Sequence, residues 1–212
     1  MEKTNEKTAL VTGAGSGLGR AIAITLAKKG FKVFLTGRRE EKLREVETEI
    51  GKEQAFVIPA DVTNEKSVQE LREKLIAHTE GTLDLLVNNV GGVAAMGAIA
   101  DLSLEDWNLM MNTNLTSQFL VTKAFLPELR KNNNGQIISV TSGMAHFFMN
   151  GFGPYSASKA GVEAFIKTVA EEEKKHGIDV KLFDPENVVS EGNPDGEKDP
   201  MEMMDKFVDL LN

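Results

Sequence analysis

The chain has 212 residues and no cysteine. Disulfides and thiolate metal sites are therefore excluded. No uninterrupted apolar run reaches the roughly 18 residues that a membrane-spanning helix requires. The opening stretch, MEKTNEKTALV, lacks the basic-then-apolar layout of a secretory signal. The three histidines, His78, His146 and His176, show no ligand spacing, so no metal site is expected. Positive charge is in deficit, with 24 Lys and Arg against 32 Asp and Glu, a formal net charge of −8. A surface of that sign repels phosphate backbones and argues against nucleic acid as a partner. What remains is the profile of a soluble cytoplasmic protein without a membrane partner. Its 41% hydrophobic content suffices for one sizeable core, so residues 1–212 are read as a single domain. Tyrosine is scarce as well: Tyr155 is the only one, beside eleven phenylalanines.

Short β-branched runs alternate with longer amphipathic stretches. TALVTGA (8–14), KVFLTG (32–37), QAFVIPAD (54–61), LDLLVNN (83–89), GQIISVTS (135–142) and DVKLF (179–183) read as strands. Between them lie helices, the first two stopped by Gly30 and Gly51, others over about 64–79, 103–131 and 155–176. Ser103 is a candidate N-cap for the long helix, with Glu105 and Asp106 in its first turn. The strands are continuously apolar, as in a sheet buried on both faces. The expected fold is α/β: a doubly wound, Rossmann-type parallel sheet of about six strands with helices on both faces and no seventh strand. The stretch DPENVVSEGNPDGEKDP (184–200) reads as a mobile substrate loop, and 200–212 as a terminal amphipathic helix. The Met-rich PMEMMDKF of that tail either closes over a substrate or is plain core. EEEKK (171–175) reads as a solvated helix end and Trp107 as a packing residue.

The first strand runs into TGAGSGLG. The common G-x-G-x-x-G pattern is not met, because Leu18 and Arg20 stand where a third glycine belongs. The spacing is G-x-x-x-G-x-G through Gly13, Gly17 and Gly19. Gly13 permits a tight turn, and Gly17 and Gly19 let backbone approach a pyrophosphate on the helix N-terminus. At the end of the second strand, LTGRRE places Gly37 where an NAD site usually carries an acid. Arg38 and Arg39 follow, suiting the 2′-phosphate of NADP or else merely solvated. NADP is the expected cofactor, with NAD the lesser candidate. Asp61 ends the third strand and can accept from an adenine amino group, while NNVGG (88–92) ends the fourth. One ligand along the carboxyl ends of the strands would touch all of these.

Tyr155 and Lys159 are four apart at the start of a helix and share a face. A free phenol titrates near 10, and an adjacent ammonium lowers that value by stabilising the phenolate. Ser142 ends the fifth strand, where its hydroxyl can bond a carbonyl oxygen. Asn114 lies inside the long helix, where a local kink would free a backbone carbonyl for a water relay. Phe147, Phe148, Met149 and Phe152 form an apolar cluster, read equally as pocket lining or as core and subunit contacts.

At this point the chain resembles the short-chain dehydrogenases/reductases. The resemblance spans residues 8 to about 190 and rests on TGAGSGLG, DVT, NNVGG, NTNLT, ISVTS and YSASK in order. It implies a catalytic tetrad of Asn114, Ser142, Tyr155 and Lys159, with Tyr155 as proton donor and Lys159 also holding the nicotinamide ribose. It implies cofactor contacts from Gly13, Ser16, Leu18, Arg38, Asp61, Val62 and Asn89. Gly91 of NNVGG, and Pro185 and Val188 after the sixth strand, join the candidate cofactor-binding residues, as do Gly17, Gly19, Tyr155 and Lys159. The resemblance further implies a small carbonyl or alcohol substrate and a homodimer. Val90, Glu186 and Ser190 stand where the family has Ala, Gly and Thr; Glu186 brings charge toward the nicotinamide end. Two other functions stay open: an NADP(H)-binding regulatory protein without turnover, and an epimerase or dehydratase, though the latter usually runs longer.

Overall fold

The computed structural model describes residues 6–132, 134–191 and 193–212. Six strands form one wholly parallel sheet: β1 Thr8–Thr12, β2 Lys32–Thr36, β3 Ala55–Val57, β4 Leu85–Asn88, β5 Gln136–Val140 and β6 Asp179–Phe183. Their order is β3-β2-β1-β4-β5-β6. The chain winds outward from β1 in one direction and returns to wind outward from β4 in the other. Right-handed crossovers then send the two sets of helices to opposite faces.

The apolar strand residues sort accordingly. Phe56, Phe34, Leu10, Leu86, Ile137 and Val180 are register partners in one row across all six strands. That row faces α3 (Glu65–Thr79) and α5 (Ser117–Lys131), through Val68, Leu71, Leu75, Val121, Phe125 and Leu129. Val169 of α6 (Gly153–Glu173) joins the same layer. The alternate residues, among them Ala9, Val11, Val33, Leu35 and Val87, face α1 (Gly17–Lys28) and α2 (Glu40–Ile50). Residues of β1, β2, β4 and β5 are almost all buried, which is why those sequences are continuous rather than alternating, while the edge strands β3 and β6 are mostly half-buried.

The expected single helix over 103–131 is divided. Helix α4 (Leu104–Met111) starts at Ser103, whose hydroxyl accepts from the Asp106 amide at 3.0 Å. It continues through a π-helical turn, Asn112–Thr116, into α5. Trp107 is not the packing residue expected; it is partly exposed, as are Leu104, Leu109 and Phe119 on the same helices. Nor is EEEKK wholly solvated: Glu173 is buried and accepts from the Arg130 guanidinium, whose Nε lies 2.8 Å away.

The tail belongs to the core. Asp199 and Glu202 form a capping box for a 3₁₀ turn, Pro200–Met203, which leads into α7 (Met204–Val208). Met203, Met204 and Phe207 are buried against the α1 layer, so they do not close over a substrate. The Phe207 ring meets Phe183 of β6 edge-on, 5.4 Å between centroids. Among the described residues, no helix is long and apolar enough to cross a membrane. Phe207→Ala should cost about 3–5 kcal/mol, the scale for deleting a buried ring. Urea denaturation checks this; a loss under about 1 kcal/mol would mean that α7 is a loosely held appendage.

Candidate active site

A cleft of about 870 Å³ runs along the carboxyl ends of the strands. At its floor, β1 turns into α1 through Gly13 and Gly17, both with positive φ (+66° and +49°). A Cβ on Gly19 would lie 2.1 Å from the Gly13 carbonyl oxygen, so only glycine permits helix and strand to approach this closely. Asn89 fastens the neighbouring strand end: its Nδ2 donates to the Thr12 carbonyl at 2.9 Å, and its amide donates to the Thr12 hydroxyl at 2.9 Å. Ser16 makes no side-chain cap on α1, and uncapped first-turn amides are the kind of donors that suit an anion. Leu18, Arg38, Arg39, Asp61, Val62, Gly91, Pro185 and Val188 line the same cleft. One Asp61 oxygen is already committed, accepting from the Thr63 amide (3.0 Å) and hydroxyl (2.7 Å). A narrow glycine cradle, uncapped helix amides and two arginines fit a phosphate-bearing dinucleotide.

Ser142, Tyr155 and Lys159 line the other end of the cleft. Lys159 is buried; its ammonium donates to the Val140 carbonyl at 3.1 Å and lies 5.8 Å from the Tyr155 ring centroid. Burial pulls its pKa down to about 8, opposed by the Asp184 carboxylate. Tyr155 is mostly buried, and the protein groups around it act on it in opposing directions. Burial pushes its phenol up, the Ser142 hydroxyl draws it back, and Asp184 pushes it up again. Desolvation is thus the largest influence on the phenol.

Asn114 does not line the cleft. It is fully buried in the π turn, where its Oδ1 accepts from the Gly92 amide at 2.7 Å and its Nδ2 donates to the Gly92 carbonyl at 3.1 Å. It holds the loop after β4 from behind. At the position of the expected kink the helix runs through a π turn.

A family model described as short chain dehydrogenase matches residues 7–200. The chain belongs to that family. An oxidoreductase of Staphylococcus aureus is 34% identical over 185 residues, covering 87% of this chain and 79% of its own. An alcohol dehydrogenase from Thermococcus sibiricus, solved with 5-hydroxy-NADP, superposes with TM-score 0.86 at 28% identity over 97% of this chain and 90% of its own. A metagenomic short-chain oxidoreductase, solved with NADP, gives TM-score 0.83 at 30% identity over 97% and 90%.

Glu186, at the position where the resemblance implied glycine, has φ +61°, in the left-handed region that costs an L-residue about 1 kcal/mol. Its carboxylate accepts from Lys198 and Lys206, and these partners hold its pKa down to about 2. The charge expected to disturb the nicotinamide end is thus matched by two ammoniums and ties the 184–200 segment to α7. Phe147, Met149 and Phe152 line the cleft, whereas Phe148 does not and is 82% exposed. Two acids escape the sequence reading. Asp184, at the carboxyl end of β6, is discoverable by the strand-end rule that found Asp61. Glu163 continues the i+4 series Tyr155, Lys159 and is buried, accepting from Thr141 (3.0 Å), His146 (3.1 Å) and Lys167 (3.0 Å).

The depressed Lys159 has a measurable consequence. Between about 8 and its ordinary value of 10.5, the unfolded chain binds more proton than the folded one, so stability rises with pH. Relative to Lys159→Met, the unmodified chain should gain stability as pH climbs from 8 to 10.5. Parallel urea-denaturation curves for the two proteins across that range would show that Lys159 titrates normally.

Proposed function

We propose that this short-chain family member is an NADP(H)-dependent carbonyl reductase or alcohol dehydrogenase acting on a small apolar ketone, aldehyde or alcohol. The observation that carries the reading is the joint placement of Ser142, Tyr155 and Lys159 at one end of a cleft whose other end is a glycine cradle flanked by Arg38 and Arg39. A nicotinamide, when bound, supplies or accepts the hydride. Ser142 bonds the substrate oxygen and orients it. Tyr155 gives its proton to that oxygen as the carbon takes the hydride. A phenol carries its proton at neutral pH, and burial pushes its pKa further up, so the donor is loaded. The phenolate left behind is stabilised by the Lys159 ammonium, which also holds ribose hydroxyls. Asn114 acts indirectly, as a positioning residue for the loop after β4. In the reverse direction the same groups take the alcohol proton.

Cofactor choice rests on the missing acid at Gly37 and the guanidinium of Arg38, and it accords with the NADP-type ligands of the two related structures. Met144, Phe147, Met149 and Phe152 give the substrate end its apolar character. A non-catalytic NADP(H)-binding role drew in part on Glu186, and that charge is paired with Lys198 and Lys206. The chain composition suits the cytoplasm. Two subunits would pair through the exposed apolar residues of α4 and α5 together with α6, where Phe119 and Phe165 meet edge-on at 6.1 Å.

Tyr155→Phe removes only the hydroxyl. Turnover in a panel of ketones and aldehydes, followed by NADPH absorbance, should fall about a hundredfold or more while NADPH affinity stays within twofold. A variant that turns over at the unmodified rate would make Tyr155 structural. Light scattering should give a two-subunit mass, reduced to one by Phe119→Lys; a monomeric unmodified chain counts against the interface.

A further inference from the structure

The strand end that should discriminate cofactors is crossed by an acid from elsewhere. Arg39 donates through one guanidinium nitrogen to Glu191, at 2.7 Å, and contacts the Ser16 hydroxyl at 3.4 Å. Glu191 belongs to the segment after β6, and that segment lies over the glycine loop: a Cβ on Gly17 would sit 3.5 Å from the Ser190 Cβ. Ser16, Arg38, Arg39, Ser190 and Glu191 line one wall of the cleft. The base of the segment is fixed by the Glu186 pairs with Lys198 and Lys206, and its tip by Asn193, whose Nδ2 donates to the Val188 carbonyl at 2.9 Å. Glu191 is therefore presented to Arg39 by a braced scaffold.

We infer that Glu191 is a cofactor-selectivity residue: it occupies the Arg39 guanidinium and competes with the 2′-phosphate of NADP(H) for it. The inference rests on reading the cleft as a nicotinamide dinucleotide site. Arg39 and Glu191 are both about half exposed, so the pair is weak and exchangeable. A 2′-phosphate monoester carries nearly two negative charges near neutrality and offers several acceptors for one guanidinium. It must displace Glu191 or share Arg39 with it. A nucleotide with a free 2′-hydroxyl makes no such demand. Glu191 consequently narrows the preference that Arg38 and Arg39 create.

The test is calorimetric titration of the full chain with 2′,5′-ADP and with 5′-AMP, in the unmodified protein, Glu191→Gln, Arg39→Gln and the double variant. Glu191→Gln should tighten 2′,5′-ADP about fivefold, the ceiling for releasing an exposed ion pair. Affinity for 5′-AMP should stay within twofold. In the Arg39→Gln background the gain should vanish, because the contested cation is gone. Equal changes for both nucleotides, no change, or a gain that survives Arg39→Gln would overturn the proposal, since each outcome points to loop loosening or bulk repulsion. If the unmodified chain binds 2′,5′-ADP no tighter than 5′-AMP, the NADP reading fails. Glu191 is then still supported if its removal creates a 2′-phosphate preference, and overturned if it does not.

Discussion

The cleft exists because α1 can press its first turn onto the end of β1. The permitted gap at Gly19 leaves no room for a methyl group beside the Gly13 carbonyl. Any side chain there would push the helix off the strand, widening the turn and carrying the α1 amides away from the crevice. Thr12 and Asn89 reinforce the same point from the β4 side, so the place where the winding direction reverses is both closely packed and hydrogen-bonded. The remaining site residues are spaced from that corner by the sheet register.

At the other end of the crevice the governing tension is between burial and charge. Sinking Lys159 into the protein weakens its ammonium, and sinking Tyr155 weakens its phenolate, so the two desolvation effects work against the pairing that their spacing suggests. Asp184 partly restores the cation and further disfavours the phenolate.

Local pattern carried the fold a long way. The six strands, their burial on both faces, the Ser103 cap and the glycine turn could all be read because each depends on neighbours within one helix turn or one strand. The residues along the cleft were legible for a related reason: topology puts strand ends together, so position in the pattern predicts position in space. What escaped depends on distant partners. Glu191 reaches Arg39 across 152 residues, and nothing near either one announces the other. The Asn114 contacts with Gly92, the burial of Glu173 against Arg130 and the seating of Phe207 on Phe183 are likewise tertiary events. Spacing likewise reveals the ammonium near Tyr155 but not the depth at which the phenol sits.

The π turn at Asn112–Thr116 also sets an angle. A π turn takes in one more residue than an α turn, and each residue of an α-helix advances about 100° around its axis. The extra residue therefore fixes the azimuth of α4 relative to α5. It decides on which side Leu104 and Leu109 emerge with respect to Phe119, and the same turn aims Asn114 inward at Gly92. Outer apolar face and inner loop anchor are thus geared to one another: a deletion in this turn could not restore ideal helix geometry without rotating one against the other.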